Sequence, residues 1–289
     1  MNTLTELTKA ILLLTSDFLK DKEPKISPLN ADEWGRFSKW LNTNSLSPLD
    51  LLKVGFEEKL LAWNDAGIPL DRIKLLMNRG MALSLAFEKW QKMGIWVITK
   101  APEDKKYYPK RIKDICRHNA PPILYGVGNR DILNRSETIG FLIDHVLNDY
   151  EKEYLKFHVK SIGGTQYVLA VCELEKKNVF LVDEALNAGV NIIMIVSNDL
   201  VGAALNKKYR NALMQNQLVI ISPYYPEAVL NEINNKITNS YYNALTSLCL
   251  GFSKYVPVMG NIESDKTVNV LNDADMMEEE KPKQGTFEL

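Results

Sequence analysis

The sequence predicts an α/β protein: a Rossmann-like parallel sheet with helices on both faces, preceded by a small helical domain and followed by a disordered acidic tail. Three observations predict it. Apolar residues recur at helical spacing up to about residue 94, short β-branched runs alternate with helical stretches from 95 to 256, and apolar periodicity stops from 257 to 289. With 289 residues the chain can bury a sizeable core, and its 46% hydrophobic and 25% charged content is ordinary for a globular protein.

In the helical domain, 1–94, the opening MNTLTELTKAILLLTSDFLK carries Glu6 and Lys9 ahead of its apolar run and no small-residue cleavage site after it, so it reads as an amphipathic helix and not a signal peptide. No stretch reaches the ~20 apolar residues needed to span a bilayer, so no membrane partner is expected. Asn30-Ala31-Asp32 and Ser47-Pro48 read as helix starts, with Asp32 or Ser47 as the N-cap. Leu83, Phe87, Trp90 and Met93 share one helix face, and Gly94 stands where a helix ends. All five tryptophans precede residue 97 and read as packing residues rather than base-stacking platforms.

From 95 to 256 the strand candidates are Ile95–Thr99, Ile123–Gly128, Ile139–Ile143, Tyr167–Cys172, Asn191–Ser197 and Leu218–Ser222. Between the later ones lie the helical stretches Leu147–Val159, Phe180–Ala188 and Leu205–Met214, the spacing of βαβ units. Gly163-Gly164 reads as the turn between helix and strand.

The chemistry-bearing residues exclude several classes. Three cysteines without CxxC spacing oppose zinc and disulfides and point to the cytoplasm. His118, His145 and His158 lack metal-ligand spacing and a nucleophile partner, and Asp183-Glu184 reads as a pair of carboxylates at a helix start, facing the macrodipole. No dinucleotide, phosphate-loop or nucleophile-elbow signature occurs, so neither catalysis nor a cofactor is expected. The net charge of −1 hides local asymmetry: residues 100–118 are rich in Lys and Arg, whereas 262–289 hold eight acids against three lysines.

The segment YYPKRIKDICRHNAPPILYGVGNRDIL resembles DprA/Smf-type DNA-processing proteins of the Rossmann-like SLOG superfamily, through Tyr108-Pro109, Pro121-Pro122, Ile123-Leu124-Tyr125 and Gly128-Asn129 in order. Pro-Pro blocks a helix and launches a strand, and Gly-Asn closes it. Ala185–Gly189 before Ile192–Val196, and Leu218–Ser222 with Tyr225-Pro226, are similar to later family elements. The resemblance implies a non-catalytic protein that binds single-stranded DNA in recombination or transformation, works as a homodimer and has a RecA-type recombinase as partner. It also implies glycine-rich phosphate loops, and here the chain departs. Ile143-Asp144-His145 stands near the first loop and Val171-Cys172-Glu173-Leu174-Glu175 at the second, where carboxylates would repel a phosphate.

The candidate nucleic-acid contacts are therefore basic runs. Lys105, Lys106, Lys110, Arg111, Lys113 and Arg117 form the first, with Tyr107 or Tyr108 to stack. Lys207, Lys208 and Arg210 beside Tyr209 form the second, and Asn235 with Lys236 falls where the family has Arg-Asn-Arg. The competing reading of such runs is a solvated helix face. Two other functions stay open: a SLOG-type sensor of a nucleotide signal and a protein adaptor, either in phage defence. The terminal KPKQGTFEL, with Phe287 and Leu289, loosely resembles peptides that dock on the bacterial sliding clamp, although Gly285 replaces an apolar residue and a frayed end is the plainer reading.

Overall fold

The computed structural model describes residues 4–18, 26–110, 112, 114, 120–135, 137–140, 142–143, 147–173, 179–196, 199–227 and 258–259. The first helix, α1 (Glu6–Thr15), is capped by Thr5, whose side chain accepts from the Thr8 backbone N–H. The expected amphipathic helix is in fact a central one: Ala10 to Leu14 are all buried. The reason is tertiary, since α1 lies against the 3₁₀ turn Pro48–Leu52, α4 (Leu70–Met77), α5 (Gly80–Lys92) and the sheet. Helix α2 (Ala31–Thr43) starts in the expected segment, but its cap is Asn30 rather than Asp32, in a reciprocal capping box with Glu33. A short helix, α3 (Phe56–Lys59), follows.

Arg72 on α4 ties this helical unit together. Its guanidinium meets both oxygens of Glu33 at 2.7 and 2.9 Å and also donates to the carbonyls of Ser27, Pro28 and Gly67. Trp63 sits edge-on to Phe37 and Trp40, and its indole N–H donates to Ile68 O at 2.8 Å. The tryptophans are packing residues, as expected. Gly94, at φ +73°, ends α5 and turns the chain into the sheet.

The main sheet has the order β1 (Trp96–Thr99), β2 (Ile123–Gly128), β7 (Leu218–Ser222), β6 (Asn191–Val196), β5 (Val168–Glu173), β3 (Thr138–Gly140). Strands β3, β5, β6 and β7 are parallel; β2 runs antiparallel to both β7 and β1. The connection from β1 to β2 and the one leaving β2 both change direction, so the first two strands close the edge of a parallel core. The apolar run 139–143 divides: beyond β3, Leu142–Ile143 (β4) pairs in parallel with Val258–Met259 (β8). The remainder of the predicted tail lies outside the described residues.

Alternation along the strands separates two cores. Leu169, Val171, Ile192, Met194, Leu218, Ile220 and Tyr125 face the crossover helices α6 (Asp149–Ser161), α7 (Val179–Asn187), α8 (Leu200–Leu205) and α9 (Arg210–Met214), together with α1 and α5. Val168, Ala170, Cys172, Ile193, Ile195, Val219 and Ile221 face the opposite way, onto Tyr108, Ile112 and the 3₁₀ helix Arg130–Asn134. Helices thus cover both faces. The single helix expected at 205–214 is two, because Asn206 takes an extended conformation and its side chain accepts from Lys208 N at 3.0 Å. The Gly163-Gly164 turn falls where expected, with Gly164 at φ +75°.

Glycine is required in β2. A Cβ on Gly126 would lie 2.3 Å from the Trp96 ring and 2.8 Å from Ile220 O. Gly128 adopts φ +94° with the Leu218 carbonyl 2.4 Å from the same imagined atom. The Trp96 indole fills this space and donates to Gly128 O at 2.9 Å.

Candidate nucleic-acid interface

The loop after β1 is folded by one carboxylate. Asp104 Oδ2 accepts from Thr99 N at 2.7 Å and Thr99 Oγ1 at 2.9 Å, while the Asp104 carbonyl accepts from the N–H groups of Tyr107 and Tyr108. Burial raises the Asp104 carboxyl above its usual value, against the opposing Thr99 hydrogen bonds and the charge of Arg130. This turn sends consecutive tyrosines in different directions.

Tyr108 goes into the core at 1% exposure, and its hydroxyl donates to Pro121 O at 2.6 Å. The expectation that Tyr108 contacts nucleic acid is therefore corrected: its ring is consumed by packing against the sheet. Tyr107 is half-buried and carries cations, with the Arg130 guanidinium 3.7 Å from its ring centroid and the Lys106 ammonium at 5.2 Å. The Asn134 amide donates to the carbonyls of Lys106 (2.7 Å) and Tyr107 (3.2 Å), fixing the loop to the 3₁₀ helix that bears Arg130.

Lys105, Lys106 and Lys110 are exposed, and none forms an ion pair among the described residues. Arg135 is exposed at the end of the same 3₁₀ helix. Glu103, Asp131 and Asp114 are exposed too, so the surface mixes signs rather than forming a uniformly positive groove. Arg111, Lys113 and Arg117 lie outside the described residues, as do Asn235 and Lys236.

The second run is on the other face. Tyr209 is buried in the helix-side core, so it is not available to stack. Lys208 pairs with Asp183 at 2.6 Å, leaving Lys207 and Arg210 exposed without an ion pair among the described residues. Asp183 and Glu184 sit in the middle of α7, not at its start; Asp183 meets Lys208 and Glu184 meets Lys160 at 4.0 Å. Their partners are lysines, and the macrodipole reading is overturned. The sheet therefore stands between the described residues of the two basic runs, and one strand lying on one face cannot engage both.

Sequence reasoning missed Arg130 and Asn134. Arg130 lies in the GNRDIL stretch and Asn134 directly follows it, but nothing in their spacing from Tyr107 signals the contact, because it is made across a separation of 23 and 27 positions respectively in the chain. Among the described residues no cluster of His, Cys, Asp and Glu could hold a metal ion, and no helix is long and apolar enough to cross a membrane. Of the expected phosphate loops, Glu173 ends β5, while residues 144–145 and 174–175 lie outside the described residues.

No protein-family model matches the sequence, and no curated protein matches it. Among solved structures, DNA processing protein A from Helicobacter pylori, studied for its single-stranded DNA binding mode, superposes loosely, with a TM-score of 0.45 at 16% identity over 63% of this chain and 76% of that one. DNA processing protein A (DprA) from Streptococcus pneumoniae superposes with a TM-score of 0.60 at 13% identity, covering 95% of this chain and 84% of that one. With 95% of its length covered by that superposition, this chain has a divergent DprA-like fold.

Proposed function

We propose that the chain is a non-catalytic DNA-processing protein that binds single-stranded DNA weakly, through backbone phosphates, on the face of the sheet that carries Tyr107. The observation that carries this reading is the trio Lys105, Lys106 and Lys110, free of ion pairs among the described residues, around a half-buried tyrosine capped by Arg130. The DprA-like fold agrees with it. The mixed charge of the patch and the carboxylates in place of glycine-rich loops argue for modest affinity. A homodimer, a RecA-type recombinase partner, a role in recombination or transformation, and clamp docking through Phe287 and Leu289 belong to the same proposal.

A salt titration with single-stranded DNA tests it. The expected result is micromolar binding at low salt, with log affinity falling by about 0.7 per phosphate contact for each log unit of salt. Absence of binding at low salt, or binding indifferent to salt, refutes the reading.

A second reading, the protein adaptor, has its own observation. Val54, Leu61, Met81 and Leu85 on the helical unit, and Tyr150 and Phe157 on α6, are large apolar side chains left exposed. Copurification of a stoichiometric protein partner that survives high salt, with no DNA binding, would favour it. The sensor reading predicts instead saturable binding of a free nucleotide.

A further inference from the structure

We propose that Arg130 and Tyr107 together form a stacking platform for one base of a single-stranded nucleic acid, with Lys105, Lys106 and Lys110 taking the adjacent phosphates. The inference rests on the function proposed above and names the part of that surface that holds a base. The Tyr107 ring packs against the second core of the sheet, so its position is set from beneath. The Arg130 guanidinium lies over it at 3.7 Å from the centroid, well within the range of a cation–π contact.

Both members are held in place without a ligand. Asn134 ties down the Lys106 and Tyr107 carbonyls, and Asn129 caps the 3₁₀ helix of Arg130 by accepting from Asp131 N at 3.0 Å. Pre-organisation of this kind reduces the ordering cost of binding. Arg130 forms no ion pair among the described residues, and the nearby Asp104 oxygen is engaged by Thr99.

A guanidinium is planar and weakly hydrated, and bases stack on it as they do on aromatic rings. A lysine at the same point would keep the charge and lose the stacking surface. The signs on the patch make this chemistry the more telling one. With Glu103 and Asp131 exposed among the lysines, phosphate attraction alone is small, whereas stacking does not depend on net charge.

The test uses the full chain and two probes, a thymidine oligonucleotide and the same backbone made abasic at every position. Stacking predicts that the wild-type protein binds the thymidine strand about 5- to 100-fold more tightly than the abasic strand. Arg130→Lys should lose most of that ratio while its salt dependence stays unchanged, and Tyr107→Leu, confirmed as folded by its thermal transition, should lose it as well. Equal affinity of the wild type for both strands, with salt-dependent binding intact, overturns the platform and leaves the proposed function standing. A ratio retained in both variants overturns it too. No binding of either strand at low salt removes both proposals together.

Discussion

The hydroxyl of Tyr125 in β2 donates to Oγ of Ser16, the residue after α1, across 2.5 Å in a fully buried setting. Trp90 of α5 stands edge-on to the same Tyr125 ring at 5.4 Å. The helical unit and the sheet therefore share this side chain, within a single apolar cluster that runs through both. Burial pushes the Tyr125 phenol well above its ordinary value, so it remains a donor through the working pH range. Tyr125→Phe leaves Ser16 without this donor and should cost about 1–2 kcal/mol, read as a lower urea midpoint at unchanged slope. An unchanged midpoint would show that the contact contributes nothing net.

Arg72 predicts a larger effect, because it bonds Glu33 twice and closes three carbonyls. Arg72→Ala should destabilise by about 3 kcal/mol, and Arg72→Lys should recover little, since an ammonium cannot reproduce the fork. Burial by itself would raise the Glu33 carboxyl, but the Arg72 hydrogen bond, the Asn30 N–H and the charges of Arg72 and Arg36 outweigh it and hold it below its usual value. Its folded value is therefore depressed. The stabilisation is present above the unfolded value near 4.5 and is lost as pH falls through the lower folded one. Acid unfolding of Glu33→Gln should show a weaker pH dependence in that window; an identical profile would contradict this account.

Asp104 has the opposite sign. Its carboxyl is raised, so its contribution is fully present below the unfolded value of 3.8 and lost as pH rises through the folded one. Asp104→Asn keeps an acceptor for Thr99 and removes the buried charge. It should gain on the wild type as pH rises from about 3.5 to 7, whereas Asp104→Ala should lose about 1–2 kcal/mol through the unmet Thr99 N–H. Thermal melts of the three proteins across pH decide it.

Gly126→Ala places a methyl against the Trp96 ring and Ile220 O; the ring withdraws only by giving up its hydrogen bond to Gly128 O, and the carbonyl only by disturbing the β2–β7 register. The expected cost is about 3 kcal/mol, at the upper end of overpacking effects. Trp96→Leu in the same background should restore part of it by vacating the space. No rescue would mean that the Ile220 carbonyl, not the indole, sets the limit.

Since the two basic runs lie on opposite faces, they should separate in binding. Reversing Lys106 and Lys110 to Glu should weaken single-stranded DNA binding about tenfold or more and lower the salt slope by at least about 1.4. Reversing Lys207 and Lys208 should change it less, because Lys208 already serves Asp183. Equal effects would show that the strand runs around the sheet edge rather than along one face.

Much of this was legible in the residues in order. Asn30-Ala31-Asp32 marked a helix start, Gly94 a stop, and the β-branched runs their strands, because caps, positive-φ glycines and apolar period act over a few neighbouring positions. Those same rules cannot reach across the sheet. Nothing local distinguishes Tyr107 from Tyr108, yet one faces a pair of cations and the other fills the core, because the Asp104 turn and the face of the sheet beneath them decide which ring fits. The amphipathic look of α1 yielded to burial once α4, α5 and the sheet surrounded it. The antiparallel direction of β2 comes from its pairing with β1 and with β7, which lies far away in sequence. The opposition of the two basic runs, and the meeting of Arg130 with Tyr107, belong to the tertiary structure alone, since each joins residues whose separation in sequence carries no periodic or capping signal.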